Sequence, residues 1–223
     1  MLYLHGMGHF HPENVLSNQF LEELNIGTSN DWIMERVGIQ NRRTVLPLDY
    51  IRETKNVNPL KSFSLRLYTN AQMSAKAARM ALDRAGLKPE DIGLVISGSS
   101  SPDNITPAEA GAVAAELGIE VPCFDLNSAC STFGMQVNFI MRMRPEEMPT
   151  YVLLVGAEST TKVINYTDRN SAVLFGDGAH AAVVSATIPA RAVFVSGGYN
   201  ARPSGWTKVG VTGGWVFSQD GNA

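Results

Sequence analysis

Cys130 is the residue whose surroundings point most clearly to chemistry. An apolar strand is predicted over 122–126, a run of small residues follows it, and apolar positions at helical spacing come after the cysteine. The thiol therefore lies at or near a helix N-terminus, where N–H groups and the helix dipole favour a thiolate and can hold an oxyanion. This arrangement is typical of a nucleophile. The alternative interpretation is a small buried cysteine at a strand–helix junction.

The elements that would position Cys130 alternate along the chain. The predicted strands cover 2–5, 92–97, 122–126, 151–156, 172–175, 179–186 and 192–197, and the predicted helices begin near Ser17, Ala71, Thr106 and Cys130. Alternation of this kind indicates parallel βαβ units with helices on the sheet faces. The adjacent strands near the end of the series favour an antiparallel edge.

Residues 45–70 interrupt this alternation. The segment is polar, contains two prolines and shows no clean period, which predicts a long loop or an irregular lid. Its basic residues are Arg52, Lys55, Lys61 and Arg66. They are suited to contact an acidic carrier protein, to cover a pocket entrance or to join a subunit interface, although a plain solvated loop is the commoner outcome.

The composition is that of an ordinary globular protein of one large domain or two small ones. The 223 residues carry a formal net charge of -3, which does not favour nucleic-acid binding. Only Cys123 and Cys130 are cysteines, so no disulfide framework is expected and a reducing cytoplasm is favoured. The N-terminus lacks the pattern of a signal peptide, and no apolar run reaches the roughly 18 residues of a membrane span. We expect a soluble, cytoplasmic protein.

Five motifs, in order along the chain, resemble those of the type III β-ketoacyl synthases in the thiolase superfamily. They are Thr28-Ser29-Asn30-Asp31-Trp32-Ile33 with Arg36, Gly38 and Ile39; Asp125-Leu126-Asn127-Ser128-Ala129-Cys130; Val155-Gly156-Ala157-Glu158; Thr167-Asp168-Arg169; and Leu174-Phe175-Gly176-Asp177-Gly178-Ala179. Each is weak alone, but five at similar spacing make a specific signal. The resemblance covers nearly the whole chain apart from 45–70.

The resemblance implies an α/β, thiolase-like fold, one half of the family's layered αβαβα architecture, with a mixed five-stranded sheet. Residues 1–197 would be the N-terminal half-domain carrying the nucleophile, with 45–70 as an inserted loop or lid, and 198–223 a connecting segment. In the family a second half supplies a catalytic His and Asn. The four histidines are His5, His9, His11 and His180, and none lies in such a motif. We expect that the sequence is a fragment, or less readily that a complementary subunit supplies the catalytic His and Asn.

The activity implied by the resemblance is that of a ketosynthase. Cys130 would take an acyl group and condense it with a malonyl-type or β-ketoacyl thioester, in fatty-acid or secondary-metabolite biosynthesis. The implied partners are acyl-CoA or acyl carrier protein and a second copy in a homodimer; CoA or phosphopantetheine thioesters are substrates, and no resident cofactor is expected. Two alternatives stay open: an acyltransferase that passes the acyl group to an O, N or C nucleophile without decarboxylation, and a non-catalytic scaffold subunit.

The same resemblance implies a CoA-binding set at Thr28, Trp32, Arg36 and Arg169. An aromatic plane that stacks on adenine, with guanidinium groups that contact phosphate, is a physically sensible grip on a nucleotide. The alternative is a buried tryptophan with surface arginines, and Thr28 is equally suited to cap a helix.

Two further positions are candidates for the acyl pocket. Thr106 aligns with a position where bacterial members often carry a bulky Phe, which implies a longer or bulkier acyl group than acetyl; the alternative is a helix N-cap. Phe175 matches a Phe that lies beside the nucleophile, or it is a core aromatic on a strand. No metal site is expected at His5, His9 and His11, because no cysteine or carboxylate lies at helpful spacing.

Overall fold

The computed structural model describes residues 1–205, so that most of the connecting segment predicted over 198–223 lies outside the described residues. The strands are β1 (Leu2–Phe10), β2 (Asn14–Ser17), β3 (Asn41–Thr44), β4 (Leu94–Ser97), β5 (Cys123–Asp125), β6 (Val152–Glu158), β7 (Gly178–Ser185) and β8 (Ala192–Phe194). The α-helices are α1 (Asn18–Glu23), α2 (Asn30–Arg36), α3 (Leu48–Thr54), α4 (Ser62–Leu65), α5 (Asn70–Ala85), α6 (Glu109–Leu117), α7 (Thr132–Ile140) and α8 (Arg169–Ala172).

The main sheet has six strands in the order β5-β4-β6-β7-β1-β8. Strand β4 is parallel to β5 and β6, whereas β7 is antiparallel to β6 and β1, and β8 is antiparallel to β1. Strands β2 and β3 form a separate two-stranded sheet. The predicted α/β architecture with a mixed sheet is confirmed, although the sheet has six strands instead of five.

The two faces of the main sheet have different helices. Successive strand residues point to opposite faces, so that Val95, Leu153 and Val183 pack in the core that includes α5 and α6, and Ile96 and Leu154 pack beneath α7. Most of the fully buried apolar side chains belong to the α5–α6 side. The helix that follows Cys130 therefore covers a smaller core on the other face of the sheet.

The first strand is longer than predicted because its glycines contact a helix. The predicted strand 2–5 is too short: β1 continues through Gly6 and Gly8 to Phe10. A Cβ atom at either glycine would overlap the backbone carbonyl oxygens of Ala81 or Ala77 in α5. Glycine at these positions serves close packing of a helix on a strand.

Helix α5 agrees closely with its prediction. Thr69 and Gln72 form a capping box at its N-terminus, and Gly86 ends it in the left-handed conformation at φ 69°. The predicted helix near Ser17 is also confirmed, since the Ser17 hydroxyl accepts a hydrogen bond from the Phe20 N–H at 3.0 Å.

Segment 45–70 is more regular than the predicted loop or lid. It contains α3, a 3-10 turn at Pro59–Lys61 and α4, and it buries Leu46 and Ile51 completely. The polar composition hid this structure because short helices leave most side chains exposed. The strand predicted at 172–175 is also wrong, since Ala172 ends α8 and no strand begins before Gly178.

Candidate active site

Cys130 lies in a 3-10 turn, Ala129–Ser131, that connects the end of β5 to the first residue of α7. The structure thus places the thiol where the sequence predicts it, immediately before a helix N-terminus. The cysteine is exposed, so that the alternative of a small buried residue is wrong for the described chain. Ala129 adopts φ +48°, an uncommon conformation for a residue with a side chain, and such residues are often found at functional turns.

Side chains from the turn itself hold this backbone in place. The Asn127 carboxamide oxygen accepts a hydrogen bond from the Ala129 N–H at 3.0 Å. The Thr132 hydroxyl donates to the Ala129 carbonyl at 2.7 Å and accepts from the Ser128 N–H at 2.9 Å. These local bonds hold the backbone conformation of the turn in which Cys130 lies.

The predicted CoA-binding residues Trp32, Arg36 and Arg169 meet in space. The guanidinium carbon of Arg36 lies 5.0 Å from the Trp32 ring centroid and that of Arg169 lies 4.9 Å from it. Arg169 also donates a hydrogen bond from Nη1 to the Gly27 carbonyl at 2.7 Å. Residues from distant parts of the chain therefore form one cationic, aromatic surface, which is suited to a phosphorylated nucleotide.

Thr28 lies next to this surface but does not cap the helix. The cap of α2 is Ser29, whose hydroxyl accepts a hydrogen bond from the Trp32 N–H at 3.2 Å. The Thr28 hydroxyl oxygen is buried without a hydrogen-bond partner among the described residues. Buried hydroxyls are normally paired, so a group outside the described chain is suited to complete this one.

Thr106 does not serve as a helix cap. Helix α6 begins at Glu109, and the N–H groups of Glu109 and Ala110 donate to the Asp125 carboxylate at 2.8 and 2.9 Å. The capping-box alternative is therefore wrong, and Thr106 is an exposed residue in the loop before the helix. Its side chain is free to face another surface.

Phe175 is exposed and lies outside any strand. Its exposed fraction is 43%, and it belongs to the segment between α8 and β7. The interpretation as a core aromatic on a strand is wrong, which leaves the pocket role as the prediction for this side chain.

The family motif that follows Phe175 contains a residue whose role sequence reasoning missed. Asp177 is buried, and its carboxylate accepts hydrogen bonds from the Thr161 N–H at 2.9 Å, the Thr161 hydroxyl at 2.5 Å and the Val45 N–H at 2.8 Å. Burial raises the pKa of Asp177 to about 6 despite these bonds. Asp177 ties the turn before β7 to the start of segment 45–70.

A buried ionic cluster, formed by Lys162, Asp103 and Arg66, was also missed. The Lys162 ammonium is fully buried and lies 2.9 Å from Asp103 and 2.7 Å from the Ser101 carbonyl oxygen. Arg66 lies 3.3 Å from the same Asp103 carboxylate, so that it is paired and not freely solvated. Burial lowers the pKa of Lys162, against the opposing charge of Asp103. No local pattern in the sequence marks these three residues as neighbours.

Glu109 lies beside this cluster, in a cleft of about 510 Å³ between α5 and α6. The residue is 6% exposed, and the Asn70 side chain lies close enough to its carboxylate to favour the charged form. Burial, reinforced by the nearby Asp103 charge, raises the pKa of Glu109 to about 7. This side chain is therefore poised between its neutral and charged forms near neutral pH.

The histidines take up separate positions. His180 packs edge-on against Phe133 of α7 with ring centroids 5.5 Å apart, and burial lowers its pKa. The ring centroids of His9 and His11 lie 5.4 Å apart near the end of β1. Within residues 1–205, no group of three His, Cys, Asp or Glu side chains is arranged to hold a metal ion, and no helix is long and apolar enough to cross a membrane.

Comparisons with known proteins point to one family. Residues 124–198 match the family model of 3-oxoacyl-[acyl-carrier-protein] synthase III. The chain is 36% identical to β-ketoacyl-[acyl-carrier-protein] synthase III of Sulfurovum sp. (strain NBC37-1) over 184 residues. The aligned region covers 82% of this chain and 48% of that relative. The chain therefore spans about half the length of the curated relatives it matches.

Two solved structures show the same relationship in three dimensions. The 3-oxoacyl-[acyl-carrier-protein] synthase III from Aquifex aeolicus VF5 matches with a TM-score of 0.68 and 32% identity, over 84% of this chain and 54% of that chain. The priming β-ketosynthase from the R1128 polyketide biosynthetic pathway matches with a TM-score of 0.66 and 30% identity, over 85% and 51%. The predicted family resemblance and thiolase-like fold are confirmed.

Proposed function

We propose that this β-ketoacyl-[acyl-carrier-protein] synthase III-like chain carries the nucleophile of a condensing enzyme. The enzyme would take an acyl group from a CoA or carrier-protein thioester and extend it in fatty-acid or polyketide biosynthesis. The observation that supports this most is the position of Cys130. The thiol is exposed in a turn that leads directly into α7, inside the part of the chain that matches the synthase III family.

In the first half-reaction the Cys130 thiolate attacks the thioester carbonyl. The oxyanion that forms collapses, the carbon–sulfur bond to CoA breaks, and CoA leaves as a thiolate that takes up a proton. Helix α7 supports this step because N–H groups at a helix N-terminus are suited to stabilise the oxyanion. Cysteine suits the task, since its sulfur is both a good nucleophile and an acceptable leaving group.

In the second half-reaction a malonyl-type thioester loses CO2, and the remaining electron pair forms an enolate. The enolate carbon attacks the Cys130 acyl carbonyl, a carbon–carbon bond forms, and the cysteine sulfur leaves. The resemblance assigns stabilisation of the enolate oxygen to a His and an Asn in the family's second half. We propose that a polypeptide segment outside this chain supplies them, either as a C-terminal half or as a complementary subunit.

We propose that Trp32, Arg36 and Arg169 hold the nucleotide end of CoA, with Thr28 beside them. The short distances from both guanidinium groups to one indole ring support this role. Adenine would stack on the Trp32 ring in place of one guanidinium group, and that arginine would then contact phosphate.

We also propose that the accepted acyl group is larger than acetyl. Thr106 is exposed and Phe175 is partly exposed, so both side chains are available to line a pocket completed by other parts of the assembled enzyme. A homodimer would bring a second copy of Thr106 to the pocket, as the resemblance implies. A strict preference for acetyl-CoA over longer acyl-CoAs in a chain-length profile would overturn this assignment.

The deciding experiment is the intact mass of the natively expressed protein before and after incubation with a mixture of acyl-CoAs. We expect an acyl adduct that peptide mapping locates on the peptide containing Cys130, and its mass would name the preferred chain. Release of labelled CO2 on addition of a malonyl thioester would then confirm condensation. An adduct without CO2 release would favour an acyltransferase, and a protein that never acylates would overturn both in favour of a scaffold.

A further inference from the structure

Tyr199 reaches the turn that carries Cys130, although it lies 71 positions after the turn's first serine. Its phenol oxygen is 2.7 Å from the Ser128 hydroxyl oxygen. The same Ser128 oxygen lies 3.1 Å from the Ser131 hydroxyl, so that three hydroxyl groups form a chain across the turn. Ser128 and Ser131 flank Cys130 in the sequence, so these hydroxyl groups belong to the same turn as the thiol.

The backbone between β8 and Tyr199 brings this phenol into place. Strand β8 lies at the edge of the sheet opposite β5, and its Phe194 packs against Phe133 of α7 with ring centroids 6.5 Å apart. Gly197 passes Asn138 in the last part of α7, and Tyr199 then meets Ser128 before the helix begins. The segment after β8 thus runs along α7 towards Cys130.

We propose that Tyr199 is a positioning residue for the Cys130 nucleophile, acting through Ser128. This inference rests on the proposed role of Cys130 in acyl transfer. Within the turn, Ala129 has φ +48° and Ser128 has φ -143° and ψ 39°, neither of which is a regular helix or strand conformation. Conformations of this kind persist only when the surrounding groups hold them.

Among the residues that the structure describes, the other hydrogen bonds of the turn leave the Ser128 side chain without a partner from outside the turn except Tyr199. The Ser131 hydroxyl donates to the Ser128 carbonyl at 2.8 Å, so that the second serine is tied to the backbone of the first. The Ser128 side chain is bound from outside the turn by Tyr199. Without that phenol, the Ser128 hydroxyl keeps only its bond to the Ser131 hydroxyl, and the direction of the thiol relative to the α7 N–H groups becomes less defined.

The test compares Tyr199→Phe with Tyr68→Phe in the assembled enzyme. Tyr68 is the matched control, because its hydroxyl donates to the exposed Glu13 carboxylate at 2.8 Å and its ring packs on Phe10, away from the Cys130 turn. We expect the maximum rate of Cys130 acylation to fall about fivefold in Tyr199→Phe, the factor for one net hydrogen bond. The acyl-CoA concentration at half-saturation should stay unchanged, and Tyr68→Phe should acylate at the wild-type rate.

Ser128→Ala and the double variant Ser128→Ala/Tyr199→Phe measure the energetic coupling between the two hydroxyl groups. We expect Ser128→Ala to abolish the effect of Tyr199→Phe, because the two hydroxyls act as one unit. Additive effects, or wild-type acylation by Tyr199→Phe, would overturn the inference.

A second readout separates this inference from the proposed function. Alkylation of Cys130 by iodoacetamide requires no acyl-CoA, and we expect it to slow in Tyr199→Phe together with acylation. If the wild-type protein never acylates, the proposed function fails, and the alkylation rates still decide the positioning role. Equal alkylation rates in the two proteins would overturn it.

Discussion

Cys130 and Asp177 lie in two motifs of similar length, and the structure gives their side chains opposite surroundings. Cys130 is exposed in a turn of small residues. Asp177 is buried and accepts three hydrogen bonds from Thr161 and Val45. The first arrangement leaves a reactive group available, whereas the second uses a polar group to join separate segments of the fold.

The same contrast extends to the arginines. Arg169 contacts Trp32 at the surface, where a ligand is able to reach both side chains. Arg66 instead pairs with Asp103 beside the buried Lys162 ammonium. The exposed residues are accessible to a ligand, whereas the buried residues join segments of the fold, so the two sets should respond differently to mutation.

The largest expected effect is the loss of acylation in Cys130→Ala. The acyl adduct should disappear completely, while the free energy of unfolding should change by less than about 0.5 kcal/mol because the side chain is exposed. Intact mass after acyl-CoA treatment and denaturant unfolding measure the two properties. Cys123→Ala, in the half-buried β5 position, is the control and should still acylate. An acyl adduct that persists in Cys130→Ala would contradict the role of Cys130 as the nucleophile.

Asp177→Asn tests the buried side of the comparison. The new amide group would face N–H donors of Val45 and Thr161 in place of an acceptor oxygen, which should cost about 3 kcal/mol of unfolding free energy. Denaturant unfolding measures this loss. Asp168→Asn is the control, because that exposed residue caps α8 through Asn170 and should lose less than about 1 kcal/mol. Equal losses in the two variants would contradict the structural role of Asp177.

The sequence predicts the elements whose signals are local. Helix α5 begins within one residue of the predicted Ala71, and the position of Cys130 before a helix follows from the strand and the small residues around it. The predictions at 2–5 and 45–70 were wrong or incomplete for a physical reason. Gly8 gives no strand signal of its own, because its role is the close contact with α5, and short helices such as α3 and α4 carry too few residues for a clear period.

The site residues divide in the same way. Motif resemblance selected Trp32, Arg36 and Arg169, and the structure brings them together. Their roles in binding CoA stay a prediction. Asp103 and Lys162 are 59 positions apart, and only the folded chain brings them to 2.9 Å. The Asp125 carboxylate that caps α6 also acts across the fold, which is why a local reading chose Thr106 as the cap.

Glu109→Gln should reveal how the buried set depends on pH. The folded-state pKa of Glu109 is about 7, above the ordinary value of 4.5, so the folded protein binds more protons than the unfolded chain between these values. Stability should therefore fall as pH rises from 4.5 to 7, by at most roughly 3 kcal/mol, and stay level above 7. The variant should lose this slope and be more stable than wild type at about pH 8.

Denaturant unfolding of both proteins between about pH 6 and pH 8 measures this effect as their difference, because Asp177, whose pKa is raised to about 6, and His180, whose pKa is lowered by burial, contribute equally to both. Glu116→Gln, at an exposed position on the same helix, is the control and should keep the wild-type slope. A slope that survives in Glu109→Gln would assign the pH dependence to another group.

The smallest expected effect is on the exposed set, in Arg169→Ala. Loss of the guanidinium group beside Trp32 should weaken acyl-CoA binding by about 1 kcal/mol, or roughly fivefold, through the lost cation–π and phosphate contacts. Arg169→Lys should recover only part of this, because an ammonium group keeps the charge but not the planar contact with the indole. Equilibrium binding of a non-hydrolysable acyl-CoA to Cys130→Ala carrying each change measures the effect. Arg144→Ala removes an exposed ion pair with Glu147 and is the control. If Arg169→Ala binds the acyl-CoA as tightly as the control Arg144→Ala, the Trp32 surface is not the CoA site. Exposure alone would then not identify function in this chain.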